Sequence, residues 1–209
     1  MLPDIALTFD DGPTAPHTDA VLDELARCQV HATFFVKGDL VKAADGPRLV
    51  RRIVEGGHLL GNHSVTHQQS TDADLYRREV LETDALLKSQ GVDTRWLRLP
   101  YGRQHRDPRT DVLVGLARSS IGWSVDSGDW ATEATGQSVA ASVLKNVEGH
   151  ARSPAIVLFH DDRLITATAV QLVLDALLAK GARFVRLDEV PIEDLFGPHV
   201  IGDFRARPK

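Results

Sequence analysis

The stretch Phe9-Asp10-Asp11-Gly12-Pro13 begins at the end of the first apolar run of the chain, residues 5–9. In parallel α/β proteins that bind dinucleotides or phosphates, a glycine-rich loop follows the first strand. Two adjacent carboxylates and an Asp-Gly-Pro turn stand at that position here. The stretch therefore argues against an open, doubly wound sheet and favours the other arrangement of parallel strands, a barrel-like closure.

Short runs of apolar, β-branched or aromatic residues recur along the chain and predict seven strands. They cover residues 5–9, 32–36, 58–60, 96–99, 121–125, 155–159 and 183–187. Amphipathic segments alternate with them, and one of these is opened by Thr71-x-x-Asp74 and closed by Gly91, which predicts a capped helix. The alternation predicts a mostly parallel sheet with right-handed crossovers. The residues after 196 are predicted to form a loosely packed terminus.

The composition fits a single globular domain over residues 1–209, with 43% apolar and 25% charged residues. A net charge of -5 offers no basic surface for phosphates, so we expect no nucleic-acid partner.

No apolar run reaches the roughly 18 residues of a transmembrane helix, so neither a transmembrane segment nor a signal peptide is expected. A full-length chain of this kind would be cytoplasmic, whereas a chain trimmed of its signal segment would be secreted or in the cell envelope.

Reactive side chains stand where the predicted strands end. In parallel α/β proteins, such residues meet at one face of the sheet. They are Asp10 and Asp11 at the first strand, His63 and His67 after the third, Arg98 and Tyr101 at the fourth, Asp126 and Asp129 after the fifth, and His160 after the sixth. We therefore expect five loops to converge on one site.

The spacing His63-x-x-x-His67 predicts two imidazoles on one side of a helical turn. With one carboxylate they form a three-ligand set that leaves coordination positions open for water and substrate, and zinc is the default metal for such ligands. The adjacent carboxylates of Asp10 and Asp11 can point in different directions, so that one binds the metal and the other accepts a proton.

Each signal also has a purely structural interpretation when it is taken alone. A His-x3-His spacing occurs by chance, and Asp-Gly-Pro is a common turn. His160 alone fits a hydrogen-bonded histidine at a strand end, Arg98 fits a surface cation, and Trp130 fits core packing. Their placement at one predicted face favours the catalytic interpretation.

Five motifs follow one another along the chain. They are Thr8-Phe9-Asp10-Asp11-Gly12-Pro13, His63-Ser64-Val65-Thr66-His67, Arg98-Leu99-Pro100-Tyr101-Gly102, Asp126-Ser127-Gly128-Asp129-Trp130 and Leu158-Phe159-His160. In residues and in order they resemble the motifs of the polysaccharide deacetylases, carbohydrate esterase family 4. The chain departs from the family pattern at Leu99, where many members have proline, and at residues 68–70, which lack a proline-leucine pattern.

The resemblance implies a distorted (β/α)7 barrel that forms a single polysaccharide deacetylase catalytic domain. It also implies one divalent metal bound by Asp11, His63 and His67. Zinc is the expected ion, and cobalt or nickel can substitute for it.

The resemblance assigns the catalytic groups as well. Asp10 would be the general base, held ionised and oriented by Arg98, and His160 would be the general acid, kept protonated by Asp129. The other site residues would contact the substrate, with the backbone N–H of Tyr101 as the oxyanion donor and Trp130 and Leu158 as walls of the acetyl pocket.

Together these expectations predict a metal-dependent N-deacetylase. Its substrate would be an acetylated glycan or oligosaccharide that contains N-acetylglucosamine, such as a chitooligosaccharide or peptidoglycan. O-deacetylation of acetylxylan is an alternative, because the same groups can cleave an ester, and a cytoplasmic amidohydrolase of a small cyclic amide is another. A catalytically silent carbohydrate-binding module is disfavoured, because every expected catalytic position holds a competent residue.

Overall fold

The computed structural model describes residues 2–69, 72–150, 154–196 and 198–206. The strands are β1 (Ile5–Asp10), β2 (Thr33–Val36), β3 (Leu59–Asn62), β4 (Val125–Asp126) and β5 (Ala155–His160). The helices are α1 (His17–Arg27), α2 (Gly38–Val41), α3 (Gly46–Glu55), α4 (Ala73–Ser89), α5 (Arg109–Gly115), α6 (Gly136–Glu148) and α7 (Leu164–Ala179). Within the described ranges, none of these helices combines the length and the apolar character needed to cross a membrane.

The five strands form one parallel sheet in the order β3-β2-β1-β5-β4. The central strand β1 is buried along its whole length, which is typical of a parallel sheet covered on both faces. Phe9 stacks on Phe34 and Phe159 of the neighbouring strands, with ring centroids 4.9 and 5.6 Å apart. The register pairs Asp10 with His160, so the carboxyl ends of β1 and β5 lie side by side.

The prediction of a parallel α/β fold is confirmed, but not all seven predicted strands form regular ladders. Residues 96–99 and 183–187 each make only an isolated parallel bridge, Asn62 to Leu97 and Ile5 to Phe184. Of the predicted strand at residues 121–125, only the last residue, Val125, belongs to a regular strand, β4. The five-stranded ladder therefore does not close into a barrel by itself.

One backbone hydrogen bond joins residues 96–99 to residues 120–123, from the N–H of Ile121 to the carbonyl of Leu97 at 2.9 Å, and side chains supply the others. Arg98 donates from Nε to the carbonyl of Ile121 at 3.0 Å and from Nη2 to the carbonyl of Gly122 at 2.9 Å. The hydroxyl of Ser120 accepts the N–H of Leu99 at 2.9 Å. These bonds keep the two segments adjacent, so the parallel array continues beyond β3 without a regular ladder.

Helix α4 confirms the helix predicted before Gly91. Its buried face runs from Tyr76 to Leu87, as the amphipathic pattern indicates. The N-cap is Asp72, whose carboxylate accepts two backbone N–H groups of the first turn. The predicted opening residue Thr71 lies outside the described residues.

The prediction of a loosely packed C-terminal tail is wrong for residues 201–204. Ile201 and Trp123 exchange two backbone hydrogen bonds of 2.7 and 3.0 Å, and Phe204 and Ser120 exchange two of 2.9 and 2.7 Å. Because residues 120–123 lack a full ladder, their free backbone groups need partners, and the tail supplies them in antiparallel orientation.

We expect Ser120→Ala to lower the free energy of unfolding by about 1–3 kcal/mol, because the buried N–H of Leu99 loses its acceptor. Urea unfolding followed by circular dichroism measures this difference. The matched control is Ser89→Ala, since the exposed Ser89 hydroxyl donates to a carbonyl of its own helix. The control should change stability by less than about 0.5 kcal/mol, and an equal loss in both variants would contradict the bridging role of Ser120.

Candidate active site

A cavity of about 490 Å³ opens where β1, β4 and β5 end. Eight of the ten predicted site residues line it, namely Asp10, Asp11, His63, His67, Tyr101, Trp130, Leu158 and His160. The other two, Arg98 and Asp129, are fully buried and bonded to Asp10 and His160. The structure thus brings all ten residues together.

The side chains of Asp11, His63 and His67 cluster closely enough to share a metal ion. One ligand atom from each lies within 4.8 Å of the others. Oδ1 of Asp11 is 3.4 Å from Nε2 of His67 and 3.8 Å from Nε2 of His63. The same oxygen is buried and has no hydrogen-bond partner among the described residues. An unpartnered buried carboxylate oxygen is costly, and a cation would satisfy it, so these residues fit a divalent metal.

The helical turn predicted for residues 63–67 is wrong. The segment leaves β3 as a bend, in which Ser64 and His67 have left-handed φ angles of 63° and 58°. The side chain of Asn62 accepts the N–H of Ser64 at 2.8 Å, and the hydroxyl of Ser64 accepts the N–H of His67 at 3.2 Å. These local bonds, rather than a helix, bring the two imidazoles to one side.

Both imidazoles are in the form that binds a metal. Nδ1 of His63 lies 2.9 Å from the carbonyl oxygen of Arg98, so Nδ1 carries the proton and Nε2 keeps a free lone pair. Burial lowers the pKa of His63 to about 3 and also lowers the pKa of His67. Both rings are therefore neutral at neutral pH.

Asp10 ends β1 next to these candidate ligands. Its Oδ1 accepts a hydrogen bond from Nη1 of Arg98 at 2.8 Å, whereas Oδ2 lies 3.5 Å from Nε2 of His63. Burial raises the pKa of Asp10, and the positive charge of Arg98 opposes that rise. The carboxylate is thus oriented through Oδ1 and keeps Oδ2 beside the ligand set.

His160 ends β5 and is fixed by Asp129. Its backbone N–H donates to Oδ2 of Asp129 at 2.8 Å, and its Nδ1 lies 2.7 Å from Oδ1. Burial lowers the pKa of His160, but the hydrogen bond and charge of Asp129 outweigh burial and raise it to about 9. The ring is therefore protonated at neutral pH, with Nδ1 bonded to Asp129 and Nε2 left to reach a bound ligand.

The three other predicted residues, Tyr101, Trp130 and Leu158, line the cavity together with Leu99, Gly102, Trp123, Asp126 and Arg163. Tyr101 has a left-handed φ of 61°, and its N–H makes no hydrogen bond within the described part of the chain. Trp130 is 56% exposed, and its indole N–H donates to Asp126 at 3.1 Å. Leu158 is buried. The cavity thus offers one free backbone donor and two apolar surfaces.

Some residues of the site were missed by sequence reasoning. The hydroxyl of Thr8 accepts from Arg98 at 2.9 Å and donates to the carbonyl of Val157 at 2.7 Å. A polar residue within an apolar strand was the available signal for Thr8. The hydroxyl of Thr166 donates to Asp129 at 2.8 Å, and no local pattern in α7 indicates that contact.

The chain is similar to known proteins in sequence and in fold. A family model described as polysaccharide deacetylase matches residues 3–113. A chitooligosaccharide deacetylase of Rhizobium leguminosarum bv. trifolii is 38% identical over 162 residues, which are 75% of this chain and 71% of that protein. The chain belongs to the polysaccharide deacetylase family. Membership in this family confirms the resemblance read from the five motifs.

Two further proteins are similar to this polysaccharide deacetylase chain. The peptidoglycan-N-acetylglucosamine deacetylase PgdA of Listeria monocytogenes is 37% identical over 194 residues, and the match covers 91% of this chain but only 39% of the length of PgdA. A family 4 acetyl xylan esterase from Clostridium thermocellum, solved with a cobalt ion, has a TM-score of 0.78 at 30% identity, with 91% of this chain and 94% of that chain covered. The structural match confirms the α/β fold.

We expect the purified protein to bind one zinc ion per chain and His63→Ala to lose it, because the variant removes one of three ligands. Metal content by mass spectrometry and the rise in melting temperature on zinc addition measure binding. His105→Ala, at an exposed histidine outside the cavity, is the control and should bind zinc like the unmodified protein. Full zinc binding by His63→Ala would rule His63 out as a ligand.

Proposed function

We propose that this chain is a metal-dependent N-deacetylase that hydrolyses the acetamido groups of glycans containing N-acetylglucosamine and releases acetate. One observation carries the proposal. A carboxylate and a histidine, Asp10 and His160, end neighbouring strands in register, each with its own buried partner of opposite charge, beside a three-ligand set. We also propose that the chain is one catalytic domain, since all five strands and every α-helix except α5 contribute to one core, and α5 packs on α4 in an adjoining cluster.

Asp11, His63 and His67 would hold the metal, through one carboxylate oxygen and the two Nε2 atoms. When bound, a divalent metal supplies a Lewis acid that polarises a carbonyl and lowers the pKa of a water molecule. Zinc suits these ligands, and cobalt or nickel can replace it. The solved relative that contains cobalt supports a divalent ion in this family.

Asp10 acts as the general base. Its Oδ1 is occupied by Arg98, so Oδ2 is the atom that accepts a proton from the attacking water. A general base is most effective when its pKa lies near the working pH, and burial moves the pKa of Asp10 in that direction.

His160 acts as the general acid. An amine leaves an amide poorly unless its nitrogen is protonated, and Nε2 of His160 is the donor for that nitrogen. Asp129 keeps the ring charged and fixes its orientation through Nδ1. After the proton is transferred, the products are acetate and a free amine on the sugar.

Tyr101, Trp130 and Leu158 hold the acyl group. The free backbone N–H of Tyr101 donates to the oxygen of the acetamide as it becomes an oxyanion, a contact typically worth about 3–4 kcal/mol in the transition state. Trp130 and Leu158 supply apolar contact to the methyl group.

O-deacetylation of acetylxylan is the second candidate function. The similarity to an acetyl xylan esterase favours it, because the same base, acid and oxyanion donor can cleave an ester. The similarity to deacetylases of peptidoglycan and of chitooligosaccharides favours the amide substrate.

We expect acetate release from acetylated chitooligosaccharides or peptidoglycan that is lost with a chelator and restored by zinc. An enzyme-coupled acetate assay across these glycans and acetylated xylan ranks the substrates. Asp10→Asn should keep its metal and lose about 10²–10⁴ in rate, whereas the exposed, distant Asp93→Asn should be unaffected. No acetate from any glycan with the metal-loaded protein would overturn the proposed function.

We expect activity to fall as pH rises through the pKa of His160, about 9, because the protonated ring is the active form. In Asp129→Asn the charge that raises this pKa is gone while burial still lowers it, so the alkaline limb of the kcat profile should move to lower pH. Rates between pH 6 and pH 10 measure the shift. If the alkaline limb is unchanged in the variant, the loss of activity at high pH does not come from deprotonation of His160.

A further inference from the structure

Arg109, the first residue of α5, is buried and bonded to the turn that contains Tyr101. Its Nη1 donates to the carbonyl oxygen of Pro100 at 2.7 Å, and its Nη2 donates to that of Gly102 at 3.0 Å. These carbonyls belong to the two residues on either side of Tyr101. The guanidinium of Arg109 therefore hydrogen-bonds to the turn on both sides of Tyr101.

The bond to Pro100 has a direct consequence for the N–H of Tyr101. The carbonyl of Pro100 and the N–H of Tyr101 belong to the same peptide unit, which is planar and trans, so the two groups point in opposite directions. Holding the oxygen on one side fixes the N–H on the other. Tyr101 lines the cavity, and its N–H is free within the described residues.

The turn needs such support, because its backbone is in an uncommon conformation. Tyr101 and Gly102 both have left-handed φ angles, of 61° and 65°. A left-handed conformation is unfavourable for a residue with a side chain and persists where surrounding bonds impose it.

Asp107 orients the guanidinium. Its carboxylate receives a two-point fork, from Nε of Arg109 at 2.9 Å and from Nη2 at 2.6 Å. The same carboxylate accepts the backbone N–H of Gln104 at 3.2 Å and of Arg109 at 3.0 Å. Asp107 and Arg109 are both buried, so their two-point bond is shielded from water.

We propose that Arg109, oriented by Asp107, is a positioning residue that aims the N–H of Tyr101 at the oxyanion of the reaction. This role rests on the proposed deacetylase function. Arg109 contacts neither the candidate metal ligands nor the acid and base. Its loss should therefore reduce transition-state stabilisation and leave metal binding and substrate binding in place.

The chain contains a control for a purely structural role, an arginine with the same bonding pattern at a more exposed position. Arg186 makes the same fork to a carboxylate two residues away, Asp188, with bonds of 3.0 and 2.8 Å. It also donates from Nη1 to a backbone carbonyl, that of Gly57, at 2.8 Å. Neither Arg186 nor its partners line the cavity.

The test compares Arg109→Lys with Arg186→Lys. Lysine keeps the charge but cannot make the forked, multi-point bond. For Arg109→Lys we expect kcat to fall by about 10–100-fold, short of the loss that follows complete removal of an oxyanion donor, with KM within about twofold and one zinc per chain. Arg186→Lys should keep kcat, KM and zinc content. Melting temperature is recorded for both variants.

Asp107→Asn keeps the test decisive if Arg109→Lys does not fold. In this variant kcat should also fall, by a smaller factor than in Arg109→Lys, while KM and zinc content stay unchanged. An unchanged kcat in the folded variant, or a loss carried by KM or zinc content, would overturn the positioning role and leave the proposed function intact. An equal fall in Arg186→Lys would also overturn it. If the unmodified protein releases no acetate, the proposed function fails and the positioning role fails with it.

Discussion

The buried guanidinium of Arg98 is the interaction on which the rest of the structure depends. A buried charge is costly unless it is paired and fully hydrogen-bonded. Arg98 is completely buried, it is paired, and each of its three guanidinium nitrogens donates at least one hydrogen bond. It pairs with the carboxylate of Asp10 and donates to the hydroxyl of Thr8. Its Nε and Nη2 donate to the carbonyl oxygens of Ile121 and Gly122.

These bonds join the fold to the site. Backbone bonds join β3 to residues 96–98, and the Arg98 side chain adds two bonds to the single backbone bond that joins residues 96–99 to residues 120–123. Its side chain orients Asp10, and its backbone carbonyl fixes the tautomer of His63. Replacing the Arg98 side chain would therefore disturb both the packing of residues 120–123 and the orientation of Asp10. Substitutions at Asp10, His63 and Arg109 separate these effects, whereas a substitution at Arg98 does not.

The sequence was informative wherever structure follows from local pattern. Helix α4 and the polar residues at strand ends were predicted because periodicity and residue chemistry are visible locally. The bend at residues 63–67 was not predicted, although its bond is local: the side chain of Asn62 accepts the N–H of Ser64, and this turn competes with the helix that the His-x3-His spacing indicates. The pairing of Ile201 with Trp123 and the contact of Thr166 with Asp129 join distant parts of the chain, and no local pattern encodes them.

In the proposed mechanism, Asp10 must be ionised while His160 is protonated, although they are register neighbours on adjacent strands. A proton passed directly from His160 to Asp10 would leave both groups neutral and inactive. Asp129 raises the pKa of His160 to about 9, which extends the active range toward alkaline pH. Burial raises the pKa of Asp10, so Asp10 becomes ionised only at higher pH and the active pH range is shorter on its acid side. The charge of Arg98 opposes this rise in pKa. The two buried partner charges therefore set the pH range in which base and acid can act together, and neither partner needs to touch the substrate to do so.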